Sequence, residues 1–163
     1  MDVLELLASQ HSEVDGLIEK IEEGQGDRAA LFSELADKLA AHATVEEKIF
    51  YPGVMSKHTT ELLHESVEEH LGIKRVLADM LDLDPDEDEE EFDAKLAFLK
   101  EQLTHHAHEE EEGKLFPLVR RELDDDELAA LGNEVLALFE TLIDQSPRLH
   151  VPEETAEAAP LPG

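Results

Sequence analysis

Hydrophobic residues recur along most of this chain in steps of three and four, the period of an amphipathic helix with one face in a core. Four such stripes follow one another, beginning at Val3, Leu31, Leu63 and Phe92. Glycine and proline residues lie between them, such as the Pro52-Gly53 pair after the second stripe, and these residue types end helices. The pattern predicts an all-α protein with a small helical bundle around one core.

The chain beyond the fourth stripe divides into a further helix and a tail. Asp124 is suited to cap a helix whose apolar side runs from Leu128 to Leu142. From Ser146 onward, prolines scattered among Glu and Ala predict disorder. We therefore expect a bundle domain over residues 1–120, a short additional helix over 121–145 and a disordered tail over 146–163.

Two His-x-x-x-Glu pairs, each preceded by a single histidine on the helix before, form an internal repeat. The first copy consists of His11 and His42-x-x-x-Glu46, and the second of His70 and His106-x-x-x-Glu110. Residues four apart lie on one face of an α-helix, separated by about 6 Å along its axis, so both side chains of a pair point the same way. These six side chains can enclose a pair of metal ions.

The histidines of the repeat lie in phase with the apolar stripes. A single histidine at such a position is more often a hydrogen-bonded core residue than a ligand, but four in phase favour a metal centre. Glu46 and Glu110 also fall at core positions, where an unpaired carboxylate costs several kcal/mol unless a cation compensates it. We expect the remaining histidines to be loop or surface residues, namely His58, His64, His105, His108 and His150.

Composition narrows the chemistry and the partners. There is no cysteine, which excludes disulfides, thiolate zinc sites, iron–sulfur clusters and a cysteine nucleophile, so any metal must be held by nitrogen and oxygen. A net charge of −29 argues against nucleic acids and anionic membranes as partners, because both bind basic surfaces. The start of the chain lacks a signal-peptide pattern and no 18 apolar residues run together, so we expect a cytoplasmic protein.

An acidic run from Asp82 to Glu91 separates the third and fourth stripes. Carboxylates are favoured at a helix N-terminus by the helix dipole, so we interpret this run as a solvated linker that leads into the fourth helix. Calcium binding is the less favoured alternative.

The chain resembles the hemerythrin-like, HHE cation-binding family of four-helix di-iron proteins. The resemblance covers residues 1–120 and lies in three motifs: Leu-Ala-Ser-Gln-His11, His42-Ala-Thr-Val-Glu46-Glu47-Lys-Ile-Phe-Tyr-Pro, and His105-His106-Ala-His-Glu-Glu-Glu-Glu-Gly-Lys-Leu-Phe-Pro. It implies an up-down-up-down four-helix bundle that holds two iron ions, with the four histidines as terminal ligands and Glu46 and Glu110 as bridges. Imidazole and carboxylate donors suit non-haem iron, although manganese or zinc can occupy the same donors.

One ligand of the oxygen carriers in this family is missing. Those proteins have a fifth histidine, in a His-x-x-x-His pair on the third helix, but the residue four before His70 is Ser66. Water, an exogenous ligand or Tyr51, the only tyrosine, can take the open position. The competing interpretation of Tyr51 is a packing residue at the end of the bundle.

The register of the second carboxylate leaves a choice. Glu46 lies six residues before Pro52, whereas Glu110 lies seven before Pro117. Glu111 has the six-residue offset and competes with Glu110, which would make the motif His106-x-x-x-x-Glu111.

The ligand set looks more like the non-carrier branch of the family than like the oxygen carriers. Members that repair iron centres carry a cysteine-containing segment that this chain lacks. We expect a di-iron protein that binds or reacts with dioxygen, peroxide or a related small molecule; the alternative is iron buffering or ligand sensing without turnover. Catalytic residues, turnover and oligomeric state stay open at this point.

Overall fold

The regular structure of this protein is helical throughout. A computed structural model describes residues 1–163. In chain order, the elements are α1 (Val3–Glu22), α2 (Arg28–Val45), the π-helix π1 (Glu46–Phe50), α3 (Tyr51–Val54), α4 (Thr60–Leu81), α5 (Glu89–Leu103), the π-helix π2 (Thr104–Leu115), α6 (Phe116–Glu122), α7 (Asp125–Ile143) and a 3₁₀ helix (Pro147–Glu154). No helix has the combination of length and low polarity that crossing a membrane requires.

Four long helices make up the bundle. The backbone stays helical from α2 through π1 into α3, and from α5 through π2 into α6, so each of these sets forms one continuous helix. With α1 and α4 they give the up-down-up-down bundle, and the prediction of this fold is confirmed. α7 is the predicted additional helix, and it packs on the outside of the bundle against α1, α2 and π1.

Aspartate side chains begin three of the helices. The carboxylate of Asp2 accepts a hydrogen bond from the backbone of Glu5, and Asp27 accepts from two amides at the start of α2. Asp124 forms a reciprocal capping box with Glu127. Such caps stabilise a helix by about 1 kcal/mol each, and the one that the sequence analysis predicts, at Asp124, is present.

Two separate apolar clusters fill the bundle, and a polar layer lies between them. On α1, Leu7 belongs to one cluster, Val14 to the other, and His11 lies between the two; on α4, His70 divides Val67 from Ile73 in the same way. The buried polar layer is therefore enclosed by aliphatic side chains along the bundle axis, which keeps bulk water away from it.

Part of the tail differs from the sequence-based expectation of disorder over 146–163. Pro147–Glu154 forms a 3₁₀ helix that packs against α2 and α4, with Val151 only 2% exposed. Arg148 pairs with Asp37 at 2.9 Å. The composition of the tail hides this docking, because one buried valine and a few polar contacts to the bundle are enough to hold a short proline-containing segment.

Candidate metal centre

The polar layer contains four histidines and two glutamates, all buried: His11, His42, His70, His106, Glu46 and Glu111. Their possible ligand atoms fall into two groups, each spanning no more than 4.8 Å. One group consists of His11, His42, Glu46 and Glu111, and the other of Glu46, His70 and His106. Because Glu46 belongs to both groups, the two are adjacent and share a carboxylate.

Glu111, in place of the predicted Glu110, joins the histidines. Oε1 of Glu111 lies 3.2 Å from Nε2 of His11 and 3.4 Å from Nε2 of His106. Glu110 instead lies at the edge of the site and accepts a hydrogen bond from Lys114 at 3.0 Å. The reason is π2, since a π-helix closes its hydrogen bonds at i→i+5 and aligns residues five apart, such as 106 and 111.

Tyr51 reaches the same layer through the other π-helix. It follows Glu46 by five residues, at the end of π1, and its side chain is fully buried. The phenol donates to Oε2 of Glu111 at 2.8 Å and lies 3.2 Å from Nε2 of His70. Ser66, at the position of the missing fifth histidine, is also buried and lies close enough to affect the pKa of the phenol.

Every histidine of the layer has an oxygen acceptor at Nδ1. The four contacts are His11 to Glu112 at 2.5 Å, His42 to Gln10 at 2.6 Å, His70 to Glu47 at 2.7 Å, and His106 to Glu69 at 2.8 Å. An acceptor at Nδ1 holds the ring proton there and leaves the Nε2 lone pair directed at the interior, which is how metal-binding histidines are oriented.

These acceptors follow the internal repeat. The residue before each single histidine, Gln10 or Glu69, supports the paired histidine of the same copy, His42 or His106. The residue after each central glutamate supports the single histidine of the other copy: Glu47 contacts His70, and Glu112 contacts His11. Sequence reasoning missed all four residues, although the adjacent pairs Glu46-Glu47 and Glu111-Glu112 carried the signal.

Several buried atoms of the layer lack a hydrogen-bond partner within the protein: Nε2 of His11 and His42, Oε2 of Glu46 and Oε1 of Glu111. Leaving such atoms unsatisfied is costly, which implies a further group among them. The spacings fit a metal ion, because ligands about 2.1 Å from one ion are about 3.0–3.5 Å apart. Nε2 of His42 and of His70 lie 3.2 and 3.0 Å from Oε1 of Glu46.

The ionisable side chains of the layer shift one another's pKa values. Burial lowers the pKa of His11, but Glu111, Glu46 and Glu112 outweigh it and raise that pKa to about 9. Burial raises the pKa of Glu46, but the charge of His42 and several hydrogen bonds hold it well below its usual range. Burial and the charge of Glu46 raise the pKa of Glu111. Without metal, protons therefore serve as the compensating cations, and a metal ion must displace them.

The phenol of Tyr51 keeps its proton in this environment. Burial raises its pKa well above the usual value, and the carboxylates of Glu111 and Glu46 raise it further. The neutral phenol acts as a hydrogen-bond donor to Glu111, and a bound cation would be required to favour the phenolate.

The remaining histidines lie at the surface or the boundary of the protein, as the sequence predicts. His58, His64 and His150 are exposed. Nε2 of His105 lies 2.9 Å from Glu69, and Nε2 of His108 lies 2.7 Å from Asp15. His105 and His108 thus flank His106 on the outside of the site without entering the polar layer.

Comparisons with known proteins identify the family and the fold. Residues 2–119 match the family model of the hemerythrin HHE cation binding domain. The fold is similar to the crystal structure of a hemerythrin HHE cation binding domain-containing protein from Mycobacterium kansasii, an Rv2633c homolog, with a TM-score of 0.78 and 26% identity over 95% of this chain and 94% of that one. No curated protein matches the chain significantly.

Proposed function

The chain belongs to the hemerythrin HHE cation-binding family, and from this premise we propose that it is a non-haem di-iron protein that binds or reacts with dioxygen, peroxide or a related small molecule. The observation that carries the proposal is the pair of buried donor groups that share Glu46 and contain atoms without a partner in the protein. Imidazole nitrogen and carboxylate oxygen are donors suited to non-haem iron.

We assign one iron to each donor group. His11, His42, Glu46 and Glu111 would hold the first ion, and Glu46, His70 and His106 the second. Glu46 would be shared by the two ions because it belongs to both groups, and Glu111 would be shared as well because its Oε1 lies 3.4 Å from Nε2 of His106 in the second group. This assignment replaces the Glu110 of the sequence-based ligand set with Glu111.

Tyr51 faces the second group. Its phenol lies 3.2 Å from Nε2 of His70 and 3.3 Å from Oε1 of Glu46. We propose that Tyr51, and not Ser66, provides the polar group at the position of the missing fifth histidine. A small oxygen-containing ligand at this position can accept the phenol proton as a hydrogen bond.

The protein's own contribution is to orient donors, exclude water and hold protons. The four Nδ1 contacts fix the imidazole rings, the two apolar clusters keep the layer dry, and Tyr51 retains a proton at its hydroxyl. Bound iron would add Lewis acidity and redox chemistry toward the small ligand. The two cavities that contact the histidines of the layer have volumes of about 30 and 20 Å³, which favours a ligand of a few atoms.

Metal analysis combined with the visible spectrum tests the proposal. We expect two irons per chain in protein purified from iron-supplemented cells, and less iron after His11→Ala, His42→Ala, His70→Ala or His106→Ala. His58→Ala and His150→Ala, which change exposed histidines, are the controls. One metal or none in the wild type would overturn the di-iron assignment, and progressive loading beyond two would favour iron buffering.

Reaction of the reduced protein separates the possible activities. Reversible loss and return of a visible band on exposure to dioxygen would indicate binding, whereas rapid oxygen evolution from peroxide would indicate an enzyme.

The sequence-based expectations of a cytoplasmic location and of no nucleic-acid partner stay inferences; the net charge of −29 supports the expectation of no nucleic-acid partner.

A further inference from the structure

A small cavity lies beside the polar layer, between α2, α4 and the 3₁₀ helix. Its volume is about 30 Å³, which is room for one or two small molecules of the size of water. His42, His70 and His106 line it on the side of the candidate metal centre, and Val151 and Glu154 of the 3₁₀ helix line it on the other side. Apolar side chains such as Leu103 form much of the remaining wall.

The 3₁₀ helix, which closes this cavity on one side, is not one of the bundle helices. Val151 is 2% exposed and fills the space between α2 and α4, and two ion pairs hold its segment to the bundle. Arg148 pairs with Asp37 at 2.9 Å, and Lys74 pairs with Glu154 at 3.0 Å. The segment is only eight residues long and buries few side chains, so it can open at a smaller free-energy cost than the long bundle helices.

A second cavity, of about 20 Å³, flanks the layer on the opposite side. His11, Asp15 and Ala107 are among its lining residues. Its lining comes from α1, α2, α5 and π2, all of them parts of the long bundle helices. Opening that cavity would separate bundle helices, whereas opening the first requires only movement of the 3₁₀ helix.

We propose that the cavity under Val151 is the pocket through which a small uncharged molecule reaches the metal centre, and that Val151 limits the size and the rate of what enters. This inference rests on the proposed di-iron function. The wall is mostly apolar, and the two charged groups in it, Lys74 and Glu154, pair with each other at 3.0 Å. Such a wall disfavours charged molecules, so the ligand class is a neutral molecule of two to four atoms, such as dioxygen or hydrogen peroxide.

Nitric oxide is a suitable probe because it is uncharged, diatomic and binds reduced iron. Stopped-flow association with the reduced, iron-loaded protein should be about tenfold faster in Val151→Ala and slower in Val151→Phe. Val135→Ala is the matched control, since Val135 is an equally buried valine on α7, and it should associate at the wild-type rate. Equal rates in wild type, Val151→Ala and Val151→Phe would overturn the proposal.

A second measurement uses metal-free protein and does not depend on iron. The chain has no cysteine, so Val151→Cys and Val135→Cys each introduce one reactive thiol. Arg148→Ala removes the pair with Asp37 and should increase thiol labelling at position 151 but not at 135. Arg148→Ala should also speed nitric oxide association with iron-loaded protein that keeps Val151.

The outcomes are distinguishable. Faster labelling in Arg148→Ala with unchanged nitric oxide association would show that the segment opens but is not the route, which overturns the proposal. If Val151→Phe fails to fold, as circular dichroism would show, Val151→Ala and Arg148→Ala still decide the question. A wild-type protein that binds no iron would instead overturn the proposed function, independently of the labelling result.

Discussion

The phenol oxygen of Tyr51 lies 2.8 Å from Oε2 of Glu111, a residue sixty positions away in the sequence. The two side chains come from the two π-helical stretches of the bundle: Tyr51 follows π1 directly, and Glu111 lies within π2. The paired π-helices therefore bring a tyrosine and a carboxylate of opposite halves of the internal repeat into one buried layer.

Tyr51→Phe should expose the role of this phenol. Removing the hydroxyl leaves Oε2 of Glu111 buried without its donor, which should destabilise the metal-free protein by about 1–3 kcal/mol. If the phenolate binds iron, the loaded wild type should also show a phenolate-to-iron charge-transfer band that the variant lacks. A hydrogen-bonding role alone predicts the loss of stability without such a band.

Chemical denaturation of metal-free protein and visible spectra of loaded protein make these two measurements. Phe50→Leu is the control for packing. Phe50 is a buried aromatic residue next to Tyr51, and it has no hydroxyl. An unchanged free energy of unfolding together with an unchanged spectrum would rule out both roles for Tyr51.

Glu111→Gln and Glu110→Gln form a matched pair that tests the register of the second carboxylate. Glu111→Gln removes a buried charge that faces His11 and His106, so iron content should fall, with at least one ion lost. Glu110→Gln changes a residue that pairs with Lys114 at the edge of the site, and iron content should stay at the wild-type value. Equal losses in both variants, measured by metal analysis, would contradict the assignment.

The sequence predicts the bundle and most of the site because both depend on helical periodicity. The stripes beginning at Val3, Leu31, Leu63 and Phe92 gave the four bundle helices, and histidines in phase with those stripes do lie in the core. An i,i+4 pattern assumes an α-helix throughout, however. It correctly places Glu46 beside His42 but selects Glu110 on a stretch whose hydrogen bonds run i→i+5.

The offset to proline carried the missing information. Glu46 and Glu111 both lie six residues before a proline and are both followed by another glutamate, so the two halves of the repeat match only when Glu111 is the central carboxylate. The docking of Val151 had no comparable signal. The few apolar residues of this proline-containing tail show no period, and the burial of Val151 depends on a space between α2 and α4 that only the folded bundle creates.

The carboxylates at Nδ1 should matter for metal affinity although they do not face the metal. Glu47→Gln and Glu112→Gln weaken the acceptors that orient His70 and His11, and loss of such contacts typically lowers metal affinity about 10–100-fold. Glu109→Gln is the control, because Glu109 is an exposed glutamate of π2, the π-helix that also contains Glu112. Competition with a chelator measures the affinities, and no difference among the three variants would argue against the orienting role.

Ser66→His alone should not recreate the histidine pair of the oxygen carriers. Ser66 is 3% exposed and lies near the phenol of Tyr51, so an imidazole there overpacks the layer, which typically costs about 1–3 kcal/mol. Combining it with Tyr51→Ala makes room for the new ring and should recover stability relative to Ser66→His. Thermal unfolding of the four proteins, including Tyr51→Ala alone, tests this coupling; simple additivity of the two changes would contradict it.

The metal-free protein should lose stability as pH rises, by more than the metal-loaded protein does. The pKa of His11 is raised to about 9 in the folded protein, from 6.5 when the chain is unfolded, because its carboxylate neighbours outweigh the effect of burial. The protonated ring therefore stabilises the metal-free fold fully below pH 6.5, and this contribution, at most on the order of 3 kcal/mol, is lost as pH rises toward 9. The raised pKa values of His70 and His106 act in the same direction.

Metal ions compete with these same protons for imidazole nitrogen, so the stabilisation that bound metal provides should grow over the range in which the metal-free protein weakens. Denaturant unfolding at pH 6.5 and at pH 9, with metal-free protein and with protein loaded beforehand, should give a difference in free energy of unfolding that widens with pH. In metal-free protein, His11→Gln should flatten the pH dependence, whereas His58→Gln, at an exposed position, should keep it. A difference that narrows as pH rises would show that protons do not occupy the site in the absence of metal.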